Sequence, residues 1–238
     1  MLHTSAGRRI LLISSSNLYG TGYLDHAESE IVRSLAGASR VLFVPHALFD
    51  RRAYAAKART RFERMGLSLD SADEVTDART AVSDAEAIFV GGGNTFRLLA
   101  ALYRLDLLEP IRRRVAEGMP YLGSSAGAIV AGPSLGTTKD MPIVEPPSFA
   151  ALSLVPFQIS PHYLDPDFTS THMGETQEER IEQFLEEHDR PVVGLREGAI
   201  LRVDGDDVTL TGVAGARIFR RGAEPVEASP PCRLPGLA

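Results

Sequence analysis

The chain has 238 residues, of which 44% are apolar, enough to bury a real core in one large domain or two small ones and too apolar for a disordered polymer. Its net charge of −6, with no long run of lysine or arginine, argues against a nucleic-acid groove or an anionic membrane surface as partner. Its apolar runs are of strand length, so no membrane span is expected; a single cysteine, Cys232, excludes an internal disulfide and fits a reducing cytoplasm.

The opening residues, M-L-H-T-S-A-G-R-R, lack a long apolar segment ending in a cleavage site, so no signal peptide is expected. R-R-I-L-L-I-S (residues 8–14) reads as a first strand, buried on both faces because it does not alternate. Residues 23–35 carry Leu24, Ala27, Ile31 and Leu35 at helical spacing. R-V-L-F-V-P (40–45) is a second buried strand, followed by a charged helix over 51–65 that Gly66 stops. A weak strand over 67–69, a short helix over 76–84 and the strand A-I-F-V (87–90) come next. That strand ends in G-G-G-N-T-F, and helices follow over 96–102 and 108–116 with a break near 106–110.

Strands of four to six apolar residues alternating with helices predict a mostly parallel sheet with helices on both faces. Ligand sites in such sheets lie beyond the carboxyl ends of the strands. The two glycine-rich segments, 91–94 and 123–127, both sit at predicted strand ends and are expected to share one edge.

The second half is less regular. Residues 137–147, T-T-K-D-M-P-I-V-E-P-P, read as a structured loop, 152–159 as a strand running into S-P-H-Y, and 164–174 as a polar loop. Thr176 and Glu179 form a capping box for a helix over 176–188, with Ile181, Phe184 and Leu185 on its apolar face. P-V-V-G-L (191–195) is a short strand ending in R-E-G; a hairpin turning at 204–207 and a last strand over 216–219 follow. No repeat or linker forces a boundary, so residues 1–228 read as one domain and the proline-rich 229–238 as a flexible tail.

The chemistry centres on P-Y-L-G-S-S-A-G-A (120–128). Gly123 and Gly127 flank Ser125 in the G-x-S-x-G spacing of a nucleophile elbow. A serine on a sharp strand-to-helix turn takes strained backbone angles, and side chains two residues away would strike neighbouring backbone. The helix that starts there points N–H groups at the hydroxyl, and the N–H of Ala126 is a natural oxyanion donor. The same five residues also suit a glycine-lined turn with no chemistry.

A nucleophilic serine needs a base and a group that orients the base. Of six histidines, His162, in I-S-P-H-Y, is the best placed, held at a strand end after a proline. His3 is terminal, His26 and His188 fall on helix surfaces, His46 follows a strand end without a supporting motif, and His172 sits in a polar loop. Two acids can orient the base. Glu197 follows a short strand and is preferred, because strand ends are positioned by the sheet; Asp140, in T-K-D-M-P, is the alternative. In G-G-G-N-T-F, Gly92, Gly93 and Asn94 offer further oxyanion N–H groups at a helix start, each such donor being worth about 3 kcal/mol in the transition state. The segment lacks the G-K-[ST] of a phosphate loop and the spacing of a dinucleotide fingerprint. There is no H-E-x-x-H, cysteine cluster or dense carboxylate loop, so no metal is expected.

In order, V-G-G-G-N-T-F, G-S-S-A-G-A, T-K-D-M-P-I-V, P-x-Q-I-S-P-H-Y, G-E-T-x-E-E-R-I and G-L-R-E-G run along the chain. This series resembles the peptidase E family, the α-aspartyl dipeptidases among serine peptidases, from about Ile10 to Phe219. The resemblance implies an α/β/α sandwich similar to the class I glutamine amidotransferases. It implies Ser125 as nucleophile, His162 as base and Glu197 as third member, with Asp140 matching an aspartate sometimes placed in the charge relay. Gly93, Asn94 and Ala126 are then the oxyanion hole, and the reaction is hydrolysis of Asp-Xaa dipeptides in the cytoplasm by a monomer or homodimer with no cofactor. Two departures stand out. Gln177 replaces an arginine common in the family, with Arg180 one turn on to compensate as a substrate-binding cation. Ser124 replaces a common aromatic, which is expected to widen the pocket. Two other readings stay open: a cyanophycinase-like hydrolase of an aspartyl-linked polymer, and a sandwich that only binds small acidic ligands.

Overall fold

The computed structural model describes residues 7–237 except 36, 168 and 172; His3 and His172 lie outside the described residues. The first half alternates as its apolar spacing predicts. β1 (Arg9–Ile13) leads to α1 (Glu28–Ser34), β2 (Arg40–Val44) to α2 (Arg51–Arg64), and β3 (Ser68–Ser71) to α3 (Ala78–Asp84). β4 (Ala87–Val90) leads to α4 (Thr95–Arg104) and α5 (Leu108–Ala116), and β5 (Tyr121–Ser124) to α6 (Ala126–Ala131). Helix starts are set by capping side chains: Asp50, Asp77 and Asn94 accept backbone N–H groups of α2, α3 and α4. The helix expected from residue 23 starts later, because Leu24 takes a left-handed backbone (φ 58°) and a tight turn covers Asp25–Ala27.

The remaining elements are β6 (Gln158–Pro161), α7 (Gln177–Glu187), β7 (Val192–Leu195), β8 (Ala199–Asp204), β9 (Asp207–Gly212), β10 (Ala216–Arg220), β11 (Ala223–Ala228) and β12 (Cys232–Arg233). The capping box of Thr176 and Glu179 is present at the start of α7. The strand expected over 152–159 covers only its end. Leu152 and Leu154 instead give their N–H groups to Val130 and Ala131, carbonyls at the end of α6 that the helix leaves unpaired.

The strands form two sheets. The large one runs β12-β9-β8-β1-β5-β4-β2-β3, with β1, β5, β4, β2 and β3 parallel to one another and the rest antiparallel. Alternate residues of its central strands enter opposite cores. Leu11, Ile13, Val41, Phe43, Ala87, Phe89 and Leu122 pack under α1 and α2. Ile10, Leu12, Val44, Ile88, Val90 and Tyr121 pack under α4, α5 and α6. The expected α/β/α sandwich is thus built around a sheet covered on both faces.

The second sheet, β11-β10-β7-β6, has no counterpart in the sequence reading. One face joins the core beside α6 through Ile159, Val193, Leu195 and Ile218; the other is covered by Ile181 and Leu185 of α7. The segment from Ser229, expected as a flexible tail, contradicts that expectation. Cys232 and Arg233 pair with β9, and Leu234 and Leu237 are buried at 6% and 2% exposure. Two apolar side chains and one free sheet edge outweigh the prolines that suggested disorder.

Candidate active site

Ser125 joins β5 to α6 at φ 52°, ψ −111°. A non-glycine residue in such a conformation costs on the order of 1–3 kcal/mol and persists only where its surroundings over-determine it. Here its N–H donates to the Ile13 carbonyl at 2.9 Å, and its carbonyl accepts from Ala128 and Ile129 at 2.8 and 3.0 Å. The flanking glycines answer to contact. A Cβ on Gly123 would stand 2.4 Å from the Gly127 carbonyl oxygen, and one on Gly127 would stand 2.0 Å from that of Val90. α6 can therefore fold back onto β5 and pack against the end of β4 only with glycine at Gly123 and Gly127 respectively.

The partner imidazole comes from the second sheet. His162 follows β6, also with a positive φ of 52°. Its Nε2 lies 2.9 Å from Ser125 Oγ, and its Nδ1 lies 2.8 Å from Glu197 Oε1, just past the end of β7. Because β6 and β7 pair in parallel, Pro161 stands beside Leu195, and the next residues meet at the same edge. Ser14, at the end of β1, joins the sheets: its hydroxyl accepts the His162 N–H at 3.0 Å and donates to the Leu195 carbonyl at 2.8 Å.

β4 and β5 are neighbours, so the two glycine-rich segments do share an edge. A Cβ on Gly92 would come within 2.9 Å of Ser125 Cβ, which shows how closely the loop approaches the serine. The Gly92 N–H is bound by the Tyr54 hydroxyl at 2.9 Å. The N–H groups of Gly93 and Ala126 donate to no acceptor among the described residues. Asn94 is not available in this way. Its N–H donates to the Ala47 carbonyl, its Oδ1 caps α4 through the Arg97 N–H, and its Nδ2 donates to the Met141 carbonyl.

Asp140 does not touch His162. Its Oδ2 accepts the Thr95 N–H and hydroxyl, both at 2.6 Å, and lies 3.2 Å from the Thr138 hydroxyl. It thus seats the first turn of α4, directly after the glycine loop. Gln177 and Arg180 are also elsewhere. They line a small separate cavity of about 80 Å³ with Lys139 and Phe184. Gln177 Oε1 accepts from Lys139 Nζ at 3.0 Å and from the Leu164 N–H at 3.1 Å, while Arg180 faces Glu175 at 3.6 Å. Ser124 is fully buried, so its small size opens no space beside Ser125.

Ser125 and His162 instead open onto a pocket of about 490 Å³, walled by Ser15, Asn17 and Tyr23 on one side and by Tyr54 and Lys57 on another. His46 is buried at 3% exposure and lines no part of it; burial pushes its imidazole down to about 4, so it is neutral at pH 7. His26 sits in the turn before α1, not on a helix surface, and burial lowers it too. Among the described residues, no group of three His, Cys, Asp or Glu side chains is placed to hold a metal, and no helix is long and apolar enough to cross a membrane.

The family model of peptidase family S51 matches residues 10–211. The chain belongs to peptidase family S51. This S51 chain is 53% identical to "Peptidase E" of Streptomyces coelicolor over 218 residues, covering 92% of this chain and 90% of that one. It is 47% identical over 229 residues to "Probable alpha-aspartyl dipeptidase" of Drosophila melanogaster, with 95% of both chains covered. Among solved structures, a peptidase from an acI-B1 Actinobacterium superposes with a TM-score of 0.68 over 96% of this chain and 98% of that one, at 17% identity, which speaks to the fold.

Three residues of this S51 site escape a reading of the sequence. Ser14, Tyr54 and Lys139 are a serine among several, an aromatic on a helix and a loop lysine. Each gains its place only through partners 148, 38 and 22 positions away. No local spacing signals such pairings.

Proposed function

We propose that this chain is a serine dipeptidase that hydrolyses Asp-Xaa dipeptides, with Ser125 as nucleophile, His162 as general base and acid, and Glu197 orienting His162. The observation that carries this reading is the chain of two contacts, Ser125 Oγ to His162 Nε2 at 2.9 Å and His162 Nδ1 to Glu197 Oε1 at 2.8 Å. Beside it stand two unengaged N–H groups, at Gly93 and Ala126. A proton on Nδ1, held by the Glu197 carboxylate, leaves Nε2 free to accept from the serine.

In the reaction Ser125 Oγ attacks the aspartyl carbonyl while its proton passes to His162 Nε2. The Gly93 and Ala126 N–H groups receive the oxyanion. The tetrahedral species collapses with cleavage of the C–N bond, and His162 gives its proton to the departing amine. Water then attacks the ester, its proton passing to His162. Collapse frees aspartate and returns the proton to Ser125. The names of the S51 relatives supply the substrate class, and a pocket of about 490 Å³ lies within the usual range for small ligands.

Ser125→Ala is the direct test. Asp-Leu turnover is expected to fall by about 10⁴-fold or more with an unchanged circular dichroism spectrum. Residual turnover near the wild-type rate would remove the serine mechanism.

A further inference from the structure

One wall of the Ser125 pocket is a single stripe of α2. Asp50, Ala53, Tyr54 and Lys57 stand at spacings of three, four and seven, and all of them line the pocket. The stripe is tied to the catalytic loop, since the Tyr54 hydroxyl accepts the Gly92 N–H at 2.9 Å. Lys57 lies one turn beyond Tyr54. Its ammonium sits 4.5 Å from the centroid of the Tyr23 ring. It makes no hydrogen bond or ion pair with another side chain among the described residues, and no other lysine or arginine lines this pocket.

The one carboxylate that lines this pocket, Asp50, keeps its negative charge but has Oδ1 engaged in capping α2 through the Ala53 N–H at 2.9 Å, about two helical turns from Lys57. Burial raises both Tyr23 and Tyr54, so both phenols are neutral at pH 7 and present no negative charge. Arg180 and Lys139 belong to the other cavity. A carbonyl bound at Ser125, with its oxygen between the Gly93 and Ala126 N–H groups, fixes the substrate at one end. The aspartyl side chain branches from the adjacent carbon and has to enter this pocket. Burying its carboxylate without a cation would be costly.

We propose that Lys57 binds the side-chain carboxylate of the substrate's N-terminal residue and is the residue that makes this pocket select an acidic one. The proposal rests on the Asp-Xaa reading given above. The aromatic face of Tyr23 holds the ammonium in place while leaving its N–H groups free for the carboxylate. The role expected of Gln177 and Arg180, which line a separate cavity, is thereby carried by a residue of the serine's own pocket.

The experiment measures kcat/KM for Asp-Leu and its neutral isostere Asn-Leu in wild type, Lys57→Met and Lys57→Arg. Methionine keeps much of the stem and removes the charge. The Asp-Leu to Asn-Leu ratio is expected to fall roughly tenfold to a hundredfold in Lys57→Met, mostly through KM, and to be largely kept in Lys57→Arg. Added salt is expected to raise KM for Asp-Leu in wild type, a readout that needs no variant. A Lys57→Met enzyme with the wild-type ratio overturns the role of Lys57 and leaves the aspartyl reading standing. A wild-type enzyme with no preference for Asp-Leu overturns both.

Discussion

Glu197 and Asp140 are both carboxylates on loops that follow Ser125 in the chain, yet their oxygens meet different partners. Glu197 touches the imidazole at 2.8 Å, whereas Asp140 is spent on Thr95 and Thr138 at the start of α4. Glu197→Gln is therefore expected to lower kcat for Asp-Leu by about 10²–10⁴-fold, because a neutral amide neither fixes the imidazole tautomer nor stabilises the imidazolium. Asp140→Asn is expected to cost less in kcat and to lower the melting temperature instead, since it weakens the seating of α4. Steady-state kinetics and thermal melts on the two variants decide this, and a larger kcat loss in Asp140→Asn would reverse the assignment. Motif spacing made Ser125, His162 and Glu197 legible because each follows a strand end. It left Asn94 open between capping and catalysis, and the partner of its N–H, Ala47, lies on a different loop.

At the scale of elements, the loop between α6 and β6 acts through one cation. Lys139 Nζ donates to the carbonyls of Pro161 and His162 at 2.6 and 3.0 Å and to Gln177 Oε1 at 3.0 Å. It thus joins the end of β6 to the first residue of α7 and holds the backbone on which His162 is mounted. Burial pushes this lysine down to about 8, against the opposing pull of Asp140 and Glu197. A lowered value means the proton leaves as pH rises through about 8, so the clamp is complete below that pH and loosened above it. A neutral amine has two N–H groups for three acceptors. The pH profile of kcat for Asp-Leu is expected to fall on the alkaline side with an inflection near 8, and Lys139→Arg, which stays charged, is expected to remove it. An identical inflection in Lys139→Arg would assign it to another group. The capping box of α7 was readable in the sequence because both its members lie within one turn. The lysine clamp was not, because Lys139 and Gln177 are 38 residues apart.

For the whole molecule, one buried apolar cluster includes Ile10 of the first strand and Leu237 near the end of the chain, together with residues of both sheets. The terminal segment is part of that core. Ending the chain after Ala228 is expected to remove the burial of Leu234 and Leu237 and the β12 pairing with β9. The loss is about 3 kcal/mol or more at about 1.5–3 kcal/mol for each fully buried leucine. Chemical denaturation of the shortened chain reads it; an unchanged midpoint would show that the segment adds nothing. The site depends on the same assembly, because the serine belongs to the large sheet and the imidazole and its carboxylate to the small one, with Ser14, just past β1 of the large sheet, bonded to the His162 N–H and the Leu195 carbonyl of the small one.

The amino-acid sequence by itself determined the alternation of strands and helices, the glycine-flanked elbow, the strand-end positions of His162 and Glu197, and the family resemblance. These depend on residues a few positions apart, whose steric and hydrogen-bonding consequences are local. Only the tertiary structure decided that His162 reaches Ser125 from a second sheet, that Asp140 serves a helix, that Gln177 and Arg180 stand outside the serine's pocket, and that Lys57 stands within it. Those outcomes depend on which distant strands pair and which helix covers which face. That choice is made by the packing of the entire core, and no short window of residues encodes it.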